Sequence, residues 1–236
     1  MKMYGIIPAR LNSTRLPKKA LIVLKNKTLI QRVYENVIKN TILENLFVAT
    51  NNKKIKDTVK SFGGNVIDTQ GIHLNGTERC FEASNKINTK NEDIILNIQC
   101  DEPTIDNEAI NLIYDAFKHN SELKIVTLVS SNLLSNEIND PSIVKTQLDK
   151  NNFAIEFCRE SKKKNNYKHI GIYGFKKKTL EKLINLKPTS NEKKQKLEQL
   201  RWIENGFKIK CVISNKNYIS INTKEDVKIY NENYIL

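Results

Sequence analysis

Short apolar runs, each followed by an amphipathic stretch, set the rhythm of the first half of the chain. Met3, Tyr4, Gly5, Ile6 and Ile7 read as a buried strand that empties into Pro8, Ala9 and Arg10. Thr28 can cap a helix running to about residue 40, in which Leu29, Ile30, Val33, Val37 and Ile38 share one face. A strand at 46–50, a helix through Ile55, Val59 and Phe62 closed by Gly63 and Gly64, and a strand at 65–68 follow. With right-handed crossovers, this β-α-β-α-β series makes half of a parallel, doubly wound sheet.

After a polar loop at 69–75, Gly76, Thr77, Glu78 and Arg79 open a helix to about residue 88, and 93–98 is a strand apolar enough to be central. That strand ends in Gln99, Cys100, Asp101, Glu102 and Pro103. Proline stops the ladder there, and Glu102 reads as a cap for the next helix. Asp106 caps a helix through Ile110, Ile113 and Phe117, and 124–129 is a further strand. From residue 130 the rhythm changes. A loop at 132–141 leads to strands at 143–148 and 154–158 around a turn, then a lysine-rich loop at 161–168. A strand at 168–175, helices at 178–185 and 192–205, a strand at 208–213 and a helix capped by Thr223 complete the chain. The expected fold is α/β: a doubly wound, mostly parallel sheet with an antiparallel insertion. Residues 1–130 with 207–236 form the expected core, and 131–206 an inserted smaller lobe or dimerisation piece.

Composition narrows the function classes. The 236 residues suffice for one large α/β domain or a core with an appendage. No run approaches the ~20 apolar residues of a membrane span, and no signal-peptide pattern precedes the first strand, so no membrane insertion is expected. Cys80, Cys100, Cys158 and Cys211 lie far apart with no C-x-x-C pair, which predicts free thiols in a reducing cytoplasm. A formal charge of +13 raises nucleic acid as a partner. The excess is scattered, however, and 31 asparagines beside abundant lysine and isoleucine look like the bias of an AT-rich genome. No aromatic run interleaves with the basic residues, so nucleic acid is not the expected ligand.

The candidate chemistry begins in the first loop. Arg10, Arg15, Lys18 and Lys19 fall close together among Asn12, Ser13 and Thr14. Such a cluster after a buried strand suits a polyphosphate, or else is a solvated basic loop beside an edge strand. Gly76 to Arg79 and the Asp101–Glu102 pair are predicted on the same edge of the sheet. Cations to hold a triphosphate and Asp101 to hold a divalent ion against it are the parts of phosphoryl or nucleotidyl transfer. Neither a Walker glycine loop nor a Rossmann G-x-G-x-x-G is present.

Five blocks occur in order: I-I-P-A-R-L-N-S-T-R-L-P-K-K-A-L, N-G-T-E-R, N-I-Q-C-D-E-P, H-I-G-I-Y-G-F and L-E-Q-L-R-W-I-E-N-G. Together they closely resemble the 3-deoxy-manno-octulosonate (KDO) cytidylyltransferase family, over residues 3 to about 226. The resemblance implies a nucleotide-diphospho-sugar transferase-like fold and a homodimer. It also implies transfer of CMP from CTP to the anomeric 2-hydroxyl of KDO, with Mg²⁺ and release of pyrophosphate, for lipopolysaccharide or capsule synthesis. By position, Arg10, Arg15 and Lys19 would hold the triphosphate, with Arg10, Lys19 and Asp101 catalytic. Ala9, Gly76, Thr77 and Arg79 would frame the cytidine, and Gln99 would lie beside Asp101, the Mg²⁺ ligand. Arg159, His169, Tyr173, Glu198 and Gln199 would contact the acidic sugar, which makes 131–206 the sugar-binding part. Competing readings are a satisfied half-buried His169, a structural salt bridge at Arg201, and solvated lysines at 162–164 and 176–178.

Three positions depart from the family pattern. Asn222 stands where a second metal-binding Asp is usual, and Lys18 and Cys100 stand where Gly is usual. An amide oxygen can ligate Mg²⁺ but brings no formal charge. The alternatives are therefore a cytidylyltransferase for a related acidic sugar, such as amino-KDO, or a nucleotide- or sugar-binding homologue catalytically weakened by Asn222.

Overall fold

The computed structural model describes residues 1–13, 15–160 and 166–233. Thr14 and the lysines at 162–164, with most of the expected 161–168 loop, lie outside the described residues. The strands are β1 (Met3–Pro8), β2 (Val23–Leu24), β3 (Lys27–Thr28), β4 (Leu43–Thr50), β5 (Val66–Asp68), β6 (Ile94–Ile98), β7 (Ile125–Ser130), β8 (Lys145–Leu148), β9 (Ala154–Cys158), β10 (Tyr167–Lys176) and β11 (Lys210–Ser214). The helices are α1 (Leu29–Val37), α2 (Lys53–Ser61), α3 (Gly76–Asn85), α4 (Asn107–His119), α5 (Lys177–Ile184), α6 (Ser190–Gln195), α7 (Glu198–Glu204) and α8 (Lys224–Asn233).

The main sheet runs β11-β7-β10-β6-β1-β4-β5, with β8 on the far part of β10 and β9 on β8. β6, β1, β4 and β5 pair in parallel, as do β7 and β11. Period-two alternation divides the core between the two faces. Met3 and Ile7 of β1 join Ile94, Leu96, Val126 and Leu128 on one face, whereas Tyr4 and Ile6 join Ile95 and Ile125 on the other. Both faces of β1 and β6 are covered, so these strands read as unbroken apolar runs. The helix starts follow from side-chain caps: Thr28, Asn52, Asn75 and Asp106 each accept an amide from the first turn.

The expectations fail at four places, each for a physical reason. β10 belongs to the 131–206 stretch but lies in the middle of the main sheet, antiparallel to both β6 and β7. The boundary expected at 131 and 206 therefore does not follow the sheet; of the described strands in 131–206, β8 and β9 extend off its main path. The helix expected over 192–205 is two helices, broken where Lys196 takes a left-handed conformation at φ 55°. Glu102 caps nothing: Asp106 caps α4, while the Glu102 side chain is buried against other segments. Lys176 is not a solvated lysine. It is buried and paired with Glu92 at 2.6 Å, and Lys178 shares the same carboxylate.

The first loop is pinned by Leu16 and Ala20, both buried, and tightens into a 3-10 turn at Lys19–Leu21. Lys18 enters that turn at φ 56°, ψ 30°, the left-handed region that a side chain disfavours. The Lys18→Gly variant removes this strain but makes the unfolded chain more flexible, so the two effects oppose. The left-handed penalty is the larger, and Lys18→Gly should stabilise the protein by about 0.5–1 kcal/mol. A urea midpoint that falls, at unchanged slope, would contradict this account of the turn.

Candidate active site

The carboxyl ends of β1 and β6, the N-terminus of α3, the middle of β10 and the start of α7 meet around one cleft of about 330 Å³. Arg10, Arg15, Gly76, Gln99, Asp101, Arg159, His169, Tyr173, Glu198, Gln199 and Asn222 all line it. Open α/β sheets place ligands at the carboxyl ends of their strands, and most of the expected site residues gather there. Ala9 and Arg79 sit around a smaller adjoining hollow of about 110 Å³, shared with Arg10, Gly76 and Gln99. Ala9 is fixed there because its amide donates to the Ala49 carbonyl at 2.9 Å as β1 ends. Thr77 turns instead toward α7, where its hydroxyl donates to Glu198 Oε2 at 2.9 Å.

At the basic end, Lys19 Nζ donates to Asp101 Oδ2 at 2.5 Å and to Asn222 Oδ1 at 3.2 Å. The ammonium thus draws together an oxygen from the end of β6 and one from the loop before α8. Two convergent hard oxygens that already share a cation form a donor set suited to a divalent ion whose remaining ligands come from water or phosphate. Asn222 is held by its backbone: its amide, with that of Thr223, donates to Asp226 Oδ2 at 2.7 and 2.8 Å. Asp226 therefore serves the turn. Lys18 is exposed, and Cys100 is half-buried against the apolar core.

The opposite end is aromatic. Tyr173 lies 5.1 Å from His169 and 5.2 Å from Trp202, centroid to centroid, and Phe157 meets His169 edge-on. Burial lowers the His169 pKa to about 3, so the ring is neutral and exchanges a hydrogen bond with Thr127 Oγ1 at 3.0 Å. The Tyr173 hydroxyl is buried with no hydrogen-bond partner, and burial raises its pKa. Arg159 presents less of its fork than expected: Nε and Nη1 donate to the carbonyls of Gln195 and Pro141 at 3.0 and 2.9 Å. Arg201 is structural, bound to Glu192 by both Nε and Nη2.

Three cleft residues escaped the sequence reading. Trp202 follows Glu198 by one helical turn, so the spacing in L-E-Q-L-R-W could have revealed it. His73 lines the smaller hollow, three residues before Gly76, with Nε2 on Glu82 at 2.7 Å. Lys168 was hidden because it begins a strand; its buried ammonium joins Glu137 Oε1 at 2.5 Å and the Tyr218 carbonyl at 2.7 Å.

Burial pushes the Glu198 carboxyl up to about 8, against the opposing Thr77 hydrogen bond. The folded state thus keeps a proton that the unfolded chain releases above about 4.5, so stability falls as pH rises between about 4.5 and about 8. The side chain retains some surface on the cleft, and solvent there reduces the effect. Glu198→Gln should therefore gain about 1–2 kcal/mol over wild type on going from the acid to the alkaline side of that window. Thermal melts across the window test this; a stability difference independent of pH would contradict the buried-acid assignment.

The sequence model of the cytidylyltransferase family matches residues 4–209. A 3-deoxy-manno-octulosonate cytidylyltransferase of Fusobacterium nucleatum is 41% identical over 235 residues, covering 97% of this chain and 95% of its own. An 8-amino-3,8-dideoxy-manno-octulosonate cytidylyltransferase of Shewanella baltica is 36% identical, covering 97% of this chain and 96% of its own. The solved structure of a CMP:2-keto-3-deoxy-manno-octonic acid synthetase complexed with CTP superposes with a TM-score of 0.89 at 29% identity, covering 98% of each chain. The match to the family model and the relatives of over 30% identity lead to one conclusion: the chain belongs to the cytidylyltransferase family, among its 3-deoxy-manno-octulosonate cytidylyltransferases.

Proposed function

We propose that the protein transfers CMP from CTP to the anomeric hydroxyl of 3-deoxy-manno-octulosonate, with release of pyrophosphate. The observation that carries this reading is a single cleft lined by Arg10, Arg15, Asp101, Asn222, His169, Tyr173, Glu198 and Gln199, with Lys19 bound to Asp101 and Asn222. Relatives named for this activity, alike over nearly the whole chain, support it. The sugar hydroxyl oxygen bonds to the α-phosphorus, the bond from that phosphorus to the bridging oxygen of the β-phosphate breaks, and the hydroxyl proton passes to solvent. Arg10, Arg15 and Lys19 stabilise the charge that develops on the departing pyrophosphate. The backbone at Ala9, with Gly76 and Arg79, frames the cytidine, Thr77 holds Glu198 behind it, and Gln99 stands at the junction of the two substrates. Glu198, Gln199, His169, Tyr173 and Arg159 receive the sugar.

Mg²⁺ is the cofactor of this reading: Asp101 and Asn222 would hold it, and it supplies neutralisation of phosphate charge and a lower hydroxyl pKa. The reading extends to a homodimer working in the cytoplasm toward lipopolysaccharide or capsule. The free cysteines among the described residues agree with a reducing compartment. The Shewanella baltica relative supports a second reading, in which the acceptor is an 8-amino-3,8-dideoxy sugar.

Purified protein should release pyrophosphate from CTP only when Mg²⁺ and a 3-deoxy-ulosonate are both present, and Asp101→Ala should lower kcat by more than about 100-fold. Tight CTP binding without turnover on KDO or its amino analogue would contradict the enzyme reading and favour a binding homologue. Two unit charges about 4 Å apart interact by about 4 kcal/mol at a surface-like dielectric, more than an amide dipole supplies. Asn222→Asp should therefore lower the half-saturating Mg²⁺ concentration several-fold; an unchanged requirement would mean that another group already supplies the charge.

A further inference from the structure

Glu102 is buried at 5% exposure beside Asp101, yet it neither caps a helix nor forms an ion pair in the described structure. One of its oxygens does two things. Oε1 accepts from the Gly171 amide of β10 at 3.0 Å and from the Ser220 hydroxyl at 2.7 Å, while Oε2 is buried with no hydrogen-bond partner. Around this contact the segment before α8 is sewn to the end of β6. The Ile219 amide donates to Thr104 Oγ1 at 2.9 Å, and the Ile221 amide to the Asp101 carbonyl at 2.8 Å. Asn222 is the next residue. Its Oδ1 faces the Lys19 ammonium that Asp101 also binds. The fit is tight on the β10 side as well, because a Cβ on Gly171 would stand 2.8 Å from Glu102 Oε1.

We propose that Glu102 is a positioning residue: it grips Ser220 and β10 together, and so helps set the Asn222 side chain beside Asp101, where both meet the Lys19 ammonium. The inference rests on the reading of Asp101 and Asn222 as the divalent-ion pair. Without the grip, the 219–222 segment keeps the bonds made by its Ile219, Ile221 and Asn222 amides but loses the side-chain anchor at Ser220. The chain stays folded, and the donor pair loosens. In metalloproteins, partners that orient ligands in this way typically change metal affinity by about 10- to 100-fold when removed.

The test is Mn²⁺ binding, read by the paramagnetic resonance of free Mn²⁺ in the presence of CTP, alongside the Mg²⁺ dependence of pyrophosphate release. Ser220→Ala and Gly171→Ala, which attack the contact from opposite sides, should each weaken Mn²⁺ binding about 10-fold, and Glu102→Ala at least as much. The KM of Ser220→Ala for CTP at saturating metal should change less than about 2-fold, whereas its Mg²⁺ requirement rises in step with the Mn²⁺ constant. Glu102→Gln keeps an acceptor oxygen in place and should stay within about 3-fold of wild type. Unchanged metal binding in Ser220→Ala and Gly171→Ala overturns the positioning role, even if Glu102→Ala fails to fold. So does a Glu102→Gln variant as impaired as Glu102→Ala, because charge rather than position would then be at work. A wild-type protein that releases no pyrophosphate would instead contradict the functional reading itself, a result distinct from active wild type with unaffected variants.

Discussion

The ammonium of Lys19 ties together three parts of the chain that are remote in sequence: the loop after β1, the end of β6 and the turn before α8. The rest of the cleft is arranged around that junction. A carboxylate at Asp101 needs a cation near it in a half-buried setting, and a loop carrying Arg10, Arg15 and Lys19 needs an anion. Lys19 and Asp101 meet each other's need directly. Arg10 and Arg15 line the same cleft as Asp101. With Asn at position 222 the Lys19–Asp101–Asn222 group is formally neutral, where a second Asp would leave it at minus one.

The two ends of the cleft use opposite physics. At the basic end, Lys19 and Asp101 are partly exposed charges paired with each other. At the other end, His169, Tyr173 and Trp202 form an aromatic floor, and burial keeps His169 uncharged and moves Glu198 toward its protonated form. A neutral carboxyl can donate as well as accept a hydrogen bond, which suits the sugar-hydroxyl contacts proposed for this end. The acidic function of the sugar would then be met by the cationic wall. Arg159 contributes to that wall, but its fork is largely committed to loop carbonyls, so its positive charge counts for more than bidentate geometry.

Much of this was legible in the residues. The strands β1, β4 and β6 and the caps Thr28 and Asp106 follow from period and side-chain chemistry, and the clustering of Arg10, Lys19, Gly76 and Asp101 at one sheet edge follows from those strands. Pairing partners were not legible. The apolar run of β10 fits a central strand of either direction, and only the register against Asn97 and Thr127 puts Tyr173 in the middle of the sheet. The break at Lys196 escaped because a lysine carries no helix-ending signal; its left-handed turn is imposed by the packing of Leu197 and Trp202 into the core. Glu102 was misread because a carboxylate just ahead of a helix has a ready local use, while its actual partners, Gly171 and Ser220, are far away in sequence.

In the proposed reaction the sugar hydroxyl attacks the α-phosphorus of a triphosphate held by the first loop. Incubating the protein with CTP, Mg²⁺ and a 3-deoxy-ulosonate carrying heavy oxygen at its anomeric hydroxyl, then following the products by phosphorus NMR and mass spectrometry, tests that claim most directly. The account predicts that the label ends in the ester bridge between CMP and the sugar, with none in pyrophosphate. Label in pyrophosphate, or a CMP ester that has lost it, would contradict the account.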